Sequence, residues 1–409
     1  MFKDSVAGNI AKLASGSILA QILYLLSLPY ITRIYPSEYW GLLAIVVSTS
    51  MIISSFNTLQ LETLLVLKHK EFNPHKITEI VFINIGITLL VLIVISIGVI
   101  VNEVLFLANI DFKLIYLGTC LAFVFSTYRI LENSLTGFKK FATIAKGVLL
   151  YRVSMIIAQL AFYAVGVIEY GLILSAFISR TISSIFFKKK SQFALKKFRF
   201  KASTKIILEN SNYSRDITIQ NFLNTCSQYL PSLLLVLSYS NEEVGNYFFI
   251  IGVTQMPINI INSSLKKVLI KEYSENNSEK MNSLNRKVFK KLLLIGFPLI
   301  LIAFLAGETI ISFAFGNEWE IAGNLIPFVT LWMFAMALST SFRMKYHACS
   351  EQKKLLKLEK ILFFTRVACL LLCVSLKPKF ELTIAIYCLI GLIINLVLII
   401  KAPTKKLSL

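Results

Sequence analysis

"STYRILENSLTGFKK", residues 126–140, places Arg129 and Glu132 within an apolar stretch that is long enough to cross a lipid bilayer. A second segment, "TSFRMKYHACSEQKK" at residues 340–354, repeats this pattern 214 positions later (343 minus 129). The shift aligns Arg129 with Arg343, and it also aligns the cations at positions 139, 140 and 152 with those at 353, 354 and 366. This pattern indicates a duplicated architecture with charges at matched depths in both halves.

The composition is that of an integral membrane protein. Of the 409 residues, 56% are hydrophobic and 16% are charged, and the mean hydropathy is +0.71. A soluble domain would have about 25% charged residues. The net charge of +20 does not indicate nucleic-acid binding, because the basic residues form short runs between apolar segments, as in cytoplasmic loops.

The hydropathy pattern predicts a multi-pass protein with both termini in the cytoplasm. With this orientation, the outer loops contain only four of the 42 Lys and Arg residues, namely Arg33, Lys113, Lys377 and Lys379, and such a bias sets the orientation. Each span needs about 20 apolar residues. The predicted spans are 10–33, 41–67, 78–101, 114–136, 143–165, 168–187, 212–238, 244–265, 289–314, 321–346, 355–376 and 381–400.

The predicted fold class is therefore an all-α integral membrane protein with twelve transmembrane helices. Because six spans is an even number, the two halves would run parallel, related by an axis along the membrane normal. We expect a six-helix lobe at residues 1–190, a basic cytoplasmic linker at 191–209 and a second six-helix lobe at 210–409.

Arginines inside spans have two interpretations. A charge at the bilayer centre costs a few kcal/mol, roughly, so it extends to the headgroups, forms an ion pair or faces a water-filled cavity. Any one arginine fits the first two possibilities, and Arg129 could pair with Glu132. Four at repeat-matched positions favour a shared cationic cavity that binds substrate: Arg129, Arg152, Arg343 and Arg366.

Polar side chains recur at helical spacing on several spans. They could form hydrogen bonds between helices or line a hydrophilic cavity between the halves, which is the interpretation we prefer. The predicted cavity residues are Gln21, Tyr24, Gln220, Asn224, Gln228, Gln255 and Asn259.

Three charged residues are candidates for coupling or gating. Asp216 and Glu62 could bind a coupling proton or sodium ion, although Asp216 next to Arg215 also fits a structural pair. In the repeat, Glu62 aligns with Lys266, and the two could close an inner gate or could be solvated charges at the interface.

The chain has no recognisable enzyme motif. The six cysteines have no framework spacing, which predicts neither disulfides nor a metal site. A nucleophile elbow and a phosphate-binding glycine loop are both absent from the sequence. We expect no cofactor and no catalytic residue.

Three stretches resemble the polysaccharide or O-antigen repeat-unit flippase family of the multidrug/oligosaccharidyl-lipid/polysaccharide exporter superfamily. They are "LPYITRIYPSEYWG" (28–41), "SGSILAQILYLLSLP" (15–29) and "GFKKFATIAKGVLLYRV" (137–153). The resemblance implies a fold like that of the multidrug exporters, with two lobes working by alternating access. It implies a lipid-linked oligosaccharide substrate, carried on undecaprenyl pyrophosphate and moved across the bacterial inner membrane. Membrane lipids, a polysaccharide polymerase and a chain-length regulator are the expected partners.

The sequence departs from the better-defined lipid-carrier flippases, which place cavity cations on spans one, two and eight. Here spans one and eight have none at mid-depth, so either the arginines of spans four, five, ten and eleven bind the headgroup or it binds in another way. The alternative function is a multidrug or cation antiporter of the same superfamily. Arginines outnumber carboxylates in the spans, which favours an anionic substrate. A polymerase or ligase is disfavoured because the outer loops are short.

Overall fold

The computed structural model describes residues 2–67, 74–105, 111–191, 200–275, 278–349 and 351–403. These ranges contain helices and no strand, so the predicted all-α class is confirmed. The helices are α1 (Phe2–Ile34), α2 (Ser37–Ser54), α3 (Leu64–Leu67), α4 (Pro74–Leu105), α5 (Phe112–Gly137), α6 (Phe141–Ala164), α7 (Gly171–Lys190), α8 (Phe200–Glu209), α9 (Ser211–Leu235), α10 (Asn241–Glu275), α11 (Ser278–Phe315), α12 (Glu320–Ala348), α13 (Gln352–Leu376) and α14 (Phe380–Ile400).

Eight helices in the described ranges have the length and hydropathy of a membrane span: α2, α4, α5, α6, α7, α11, α12 and α14. Helix α1 contributes a shorter apolar stretch, Ile18–Ile34. Helices α9, α10 and α13 have 25, 35 and 25 residues, but their described residues are too polar or too charged for them to count among these eight. The chain is thus a multi-pass membrane protein, while the count of twelve spans and the side of the termini stay predictions.

The chain forms two compact units, Met1–Leu233 and Leu234–Leu409. In the first unit α5 packs against α2, α4, α6 and α7; in the second, α12 packs against α10, α11, α13 and α14. Helices α6 and α7 pair, as do α13 and α14. The recurring pairings match the sequence repeat that aligns Arg129 of α5 with Arg343 of α12. The predicted linker at residues 191–209 and the two lobes around it stay predictions, and residues 192–199 lie outside the described residues.

The predicted second span, residues 41–67, is not one continuous helix. Helix α2 ends at Ser54, and the chain turns before a 3-10 helix at Leu61–Thr63. Leu59 and Gln60 have φ angles of 51° and 55°, in the left-handed region that costs a side-chain-bearing residue about 1–3 kcal/mol. The break is invisible in the sequence because residues 55–60 contain neither Gly nor Pro.

Side chains satisfy the backbone groups that this break exposes. Gln60 Nε2 donates a hydrogen bond to the Ser55 carbonyl oxygen at 2.7 Å. Ser214 of α9 donates its hydroxyl to the Leu59 carbonyl oxygen at 2.6 Å. Ser55 and Gln60 are buried, and buried backbone groups require such partners because water does not reach them.

Candidate functional site

The break in the predicted second span, after the end of α2, carries an ion pair whose carboxylate is buried. Arg129 Nη2 lies 3.1 Å from Glu62 Oε1 and also donates to the Ser54 carbonyl oxygen. The Thr58 hydroxyl donates to the other carboxylate oxygen. Glu62 is only 1% exposed. The arginine of α5 therefore joins the end of α2 to the carboxylate beyond the break.

This pair changes the interpretation of both charged residues. Arg129 pairs with Glu62 rather than with Glu132, although Glu132 lies within electrostatic range. The predicted gate between Glu62 and Lys266 stays a prediction, because the side chain of Lys266 lies outside the described residues.

A second group of cations in the first unit is surrounded by aromatic rings. The guanidinium carbon of Arg152 lies 4.5 Å from the ring centre of Tyr24 and 5.0 Å from that of Tyr151. The guanidinium carbon of Arg180, on α7, lies 4.0 Å from the ring centre of the same Tyr151 and 4.5 Å from that of Tyr128. Tyr151 thus contacts two guanidinium groups. We call this set the arginine–aromatic cluster: Tyr24, Phe125, Tyr128, Tyr151, Arg152 and Arg180.

The arginine–aromatic cluster has spare positive charge. Within the described residues, neither Arg152 nor Arg180 forms an ion pair, and both are half-buried. Glu132 interacts with Arg180 at longer range. By formal charge, these two arginines and Arg129 face two carboxylates, Glu62 and Glu132, which leaves one positive charge.

Buried amides beside the cluster have unused hydrogen-bonding capacity. Gln21 Oε1 is buried without a hydrogen-bond partner among the described residues. The side chain of Gln159 interacts with the Tyr24 hydroxyl, yet neither of its amide atoms makes a well-formed hydrogen bond within the described chain. Buried polar atoms are normally paired, so this region could accept hydroxyl groups of a ligand or water.

The second unit has an ion pair at the repeat-matched position. Arg343 Nη1 contacts Glu359 Oε1 of α13. Its Nη2 donates to Asn395 Oδ1 at 3.4 Å, and its Nε donates to the Ser339 hydroxyl at 3.4 Å. Arg343 is thereby held within the α12–α13–α14 bundle.

Arg366 matches Arg152 in the repeat and also lies between aromatic rings. Its guanidinium carbon lies 4.0 Å from the ring centres of both Trp332 and Tyr387, and its Nη2 donates to the Tyr387 carbonyl oxygen at 3.4 Å. It is 2% exposed. Matched arginines thus make matched contacts in the two units: the first of each half pairs with a glutamate, and the second stacks on aromatic rings.

The predicted polar stripes of α9 and α10 lie largely on accessible faces. Gln220, Gln228 and Gln255 are half-buried, whereas Asn224 and Asn259 are exposed. Gln228 Nε2 donates within its own helix, to the Asn224 carbonyl oxygen at 3.4 Å. These positions agree with a hydrophilic face, and their role in substrate binding stays a prediction.

Asp216 forms a surface pair with the adjacent residue. Arg215 Nε lies 3.2 Å from Asp216 Oδ1, and the two side chains are 66% and 73% exposed. A local pair of this kind is the structural alternative that the sequence left open. Within the residues searched, the structure has no group of three His, Cys, Asp or Glu side chains that could hold a metal ion.

Sequence reasoning missed three residues of this region: Tyr151, Gln159 and Arg180. Arg180 has no matched arginine, because position 394 is Ile in the second half. Tyr151 directly precedes Arg152 but looks like an ordinary aromatic residue of an apolar span. A search for every arginine within a span, without the requirement of a repeat, would have found Arg180.

Comparison with protein families gives a match over most of the chain. The model of the family described as "Polysaccharide biosynthesis protein" matches residues 30–323. A search of the curated proteins finds no match.

Several solved structures share the fold. An inward-facing multidrug resistance MATE family transporter of the MOP superfamily is 14% identical, with a TM-score of 0.68, and the alignment covers 94% of this chain and 96% of that one. The inward closed lipid II flippase MurJ is 13% identical, with a TM-score of 0.66 and coverage of 95% and 88%. A MOP superfamily transporter from Pyrococcus furiosus, described as having a binding pocket of reverse polarity, is 14% identical, with a TM-score of 0.60 and coverage of 96% and 94%. At these identities the likeness establishes the fold.

Proposed function

The chain belongs to the polysaccharide biosynthesis protein family and has the fold of MOP superfamily transporters, and from this premise we propose that it flips lipid-linked oligosaccharides. The substrate would be an undecaprenyl-pyrophosphate-linked repeat unit, moved from the inner to the outer leaflet of the bacterial inner membrane. The units would serve O-antigen, capsule or exopolysaccharide assembly, together with a polymerase and a chain-length regulator. Twelve spans with cytoplasmic termini and alternating access complete the proposal.

The arginine–aromatic cluster is the observation that carries this proposal. A pyrophosphate needs cations in a poorly solvated site, and the planar guanidinium group binds phosphate oxygens with two parallel hydrogen bonds. Tyr151 contacts Arg152 and Arg180 through its ring, so each guanidinium is held while neither is neutralised by an ion pair within the described residues. The buried amides of Gln21 and Gln159 would accept and donate hydrogen bonds to sugar hydroxyls.

The break between α2 and the 3-10 helix at Leu61–Thr63 supports a mechanism for coupling. Broken helices in transporters lie at binding sites, where their irregular backbone lines a cavity. An anionic headgroup entering beside Arg129 would compete with Glu62 for the guanidinium. Glu62, released from its ion pair in a buried site, would then take up a proton or a sodium ion. Return of Arg129 to Glu62 would release that ion along with the substrate.

Complementation of a strain lacking the gene tests the proposal. Its lipid extract should accumulate complete undecaprenyl-pyrophosphate-linked units that are inaccessible from outside, and surface polymer should disappear. Wild type should restore polymer, whereas Arg152→Ala and Arg180→Ala should reduce the flipping rate about tenfold or more, since a hydrogen bond to a charged group is worth about 1.5–3 kcal/mol.

Lys146→Gln is the matched control, because it removes an exposed cation of the same helix as Arg152. Each variant is compared at equal membrane abundance. Restoration of polymer by both alanine variants at the wild-type rate would contradict the role of the cluster. Normal polymer in the deleted strain would contradict the proposed function itself.

A multidrug or cation antiporter is the second candidate. The half-buried carboxylate of Glu132 lies within electrostatic range of Tyr128, and a carboxylate near an aromatic ring suits an organic cation. The surplus of arginines argues for an anion instead. A deleted strain with normal polymer and raised sensitivity to cationic drugs would favour this candidate.

A further inference from the structure

A cavity at the basic end of the second unit contains a buried lysine. The cavity has a volume of about 190 Å³ and lies between α11, α12 and the end of α14. Its lining comprises Asn282, Asn285, Arg286, Phe342, Lys345, Ile399, Ile400 and Ala402.

Lys345 lines this cavity without a carboxylate partner. It is 5% exposed, and among the described residues it forms no ion pair. Its ammonium nitrogen lies 5.8 Å from the ring centre of Phe342, and the nearby cation Arg286 repels it. A cation–π contact at this distance is weak compared with the cost of removing an ammonium group from water. An anion in the cavity would offset that cost.

Asn285 gives an independent indication of a ligand. It is 2% exposed and lines the same cavity, and neither its amide nitrogen nor its amide oxygen has a hydrogen-bond partner among the described residues. Buried amides are normally paired. A phosphate monoester or diester oxygen would accept from the amide nitrogen, and a protonated phosphate or a glycerol hydroxyl would donate to the amide oxygen.

A neighbouring cavity adds further cations to this region. A second cavity of about 380 Å³ shares Asn282 and Arg286 with the first. Its other lining residues are Glu279, Ser283, Lys287 and Lys290, so its cations outnumber its one carboxylate. The lining of the first cavity also includes Ile400, which is largely exposed. Cations around a phosphate-sized space, next to exposed hydrocarbon, suit a group that carries both charge and an apolar chain.

We propose that Lys345, Asn285 and Arg286 form a phosphate-binding site in the second unit, separate from the arginine–aromatic cluster. The ligand is a phosphate group, supplied by an anionic phospholipid headgroup or by a soluble phosphate. The site is independent of the proposed flippase activity, because none of its residues belongs to the arginine–aromatic cluster. Its occupancy would tie α11 to α12 by neutralising the buried ammonium.

Thermal unfolding of the full-length, delipidated protein in detergent micelles tests the site. The two probes are phosphatidylglycerol and inorganic phosphate. We expect at least one of them to raise the melting temperature of wild type, because a ligand that binds only the folded state stabilises it. Lys345→Met and Asn285→Leu should weaken the binding of that probe by about tenfold or more, since each removes a hydrogen bond to a charged group. Lys291→Gln, an exposed lysine of α11 that lines neither cavity, should bind as wild type does.

Lys345→Met has a second signature that separates binding from structural damage. Without ligand, this variant should melt at or above the wild-type temperature, because it removes an unpaired buried charge. Stabilisation by phosphatidylglycerol alone assigns the site to a lipid headgroup, and stabilisation by inorganic phosphate assigns it to a soluble anion. If neither probe stabilises wild type, or if both variants respond as wild type does, the proposal is wrong.

Discussion

The Arg129–Glu62 pair allows a quantitative test, because a pair of nearly the same length lies on the surface. Arg129 Nη2 lies 3.1 Å from Glu62 Oε1, and Arg215 Nε lies 3.2 Å from Asp216 Oδ1. Glu62 is almost fully buried, whereas both members of the other pair are mostly exposed. The pairs therefore differ in burial, and Arg129 differs from Arg215 also in donating to the Ser54 carbonyl oxygen.

Arg129→Met removes the cation and leaves the Glu62 carboxylate with Thr58 as its hydrogen-bond donor. Breaking a buried pair costs about 3–5 kcal/mol. Arg129 is 34% exposed, so water screens part of the interaction, and we expect the free energy of unfolding to fall by about 2–3 kcal/mol. Arg215→Met should cost less than about 1 kcal/mol. At about 2–4 °C for each kcal/mol, Arg129→Met should lower the melting temperature by about 4–12 °C.

A double-mutant cycle separates the pair from other effects of the substitution. Replacing a buried ion pair by apolar residues is often close to neutral, so Arg129→Met with Glu62→Met should recover much of the lost stability. We expect a coupling energy of about 2 kcal/mol, within the range for residues in contact. The assay is thermal unfolding of the purified protein in detergent, followed by tryptophan fluorescence. Equal losses for Arg129→Met and Arg215→Met, or a coupling energy near zero, would refute the reasoning.

Two further predictions concern packing and topology. A Cβ atom on Gly391 would lie 2.5 Å from Trp332 Cδ1. Gly391→Ala should therefore lower the free energy of unfolding by about 1–3 kcal/mol, measured by the same thermal assay. Gly252→Ala serves as the control: nothing lies within 4 Å of the added Cβ atom, so this substitution should be neutral or slightly stabilising. The topology can be tested with a membrane-impermeant maleimide applied to intact cells, using Lys113→Cys and Lys354→Cys, each in a background without native cysteines. The reagent should label Lys113→Cys but not Lys354→Cys. The reverse labelling pattern would invert the proposed orientation.

The duplicated architecture was readable from the sequence because it rests on local properties. Hydropathy identifies apolar segments of span length wherever they occur, and the offset of 214 aligned Arg129 with Arg343 and Arg152 with Arg366 before any packing was known. The structure retains this correspondence: α5 and α12 pack against corresponding helices, and matched arginines make the same kinds of contact.

The break in α2 and the identity of the ion-pair partners required the tertiary structure. Positions 50, 54, 58 and 62 have helical spacing, yet the chain leaves the helix after Ser54, because Arg129 and Gln60 bind the carbonyl oxygens released there. The Arg129 contact joins residues 75 positions apart in the chain, and no local propensity encodes it.

The arginine–aromatic cluster illustrates the same division. The sequence determined that arginines lie at membrane depth, since their cost in lipid makes each one visible as a charge in an apolar run. Which of them are neutralised depends on the neighbours that packing supplies. Glu62 pairs with Arg129 and Glu359 pairs with Arg343, whereas Arg152 and Arg180 contact the uncharged ring of Tyr151. Depth is a property of one segment, whereas pairing is a property of several helices together, and only the tertiary structure decided it.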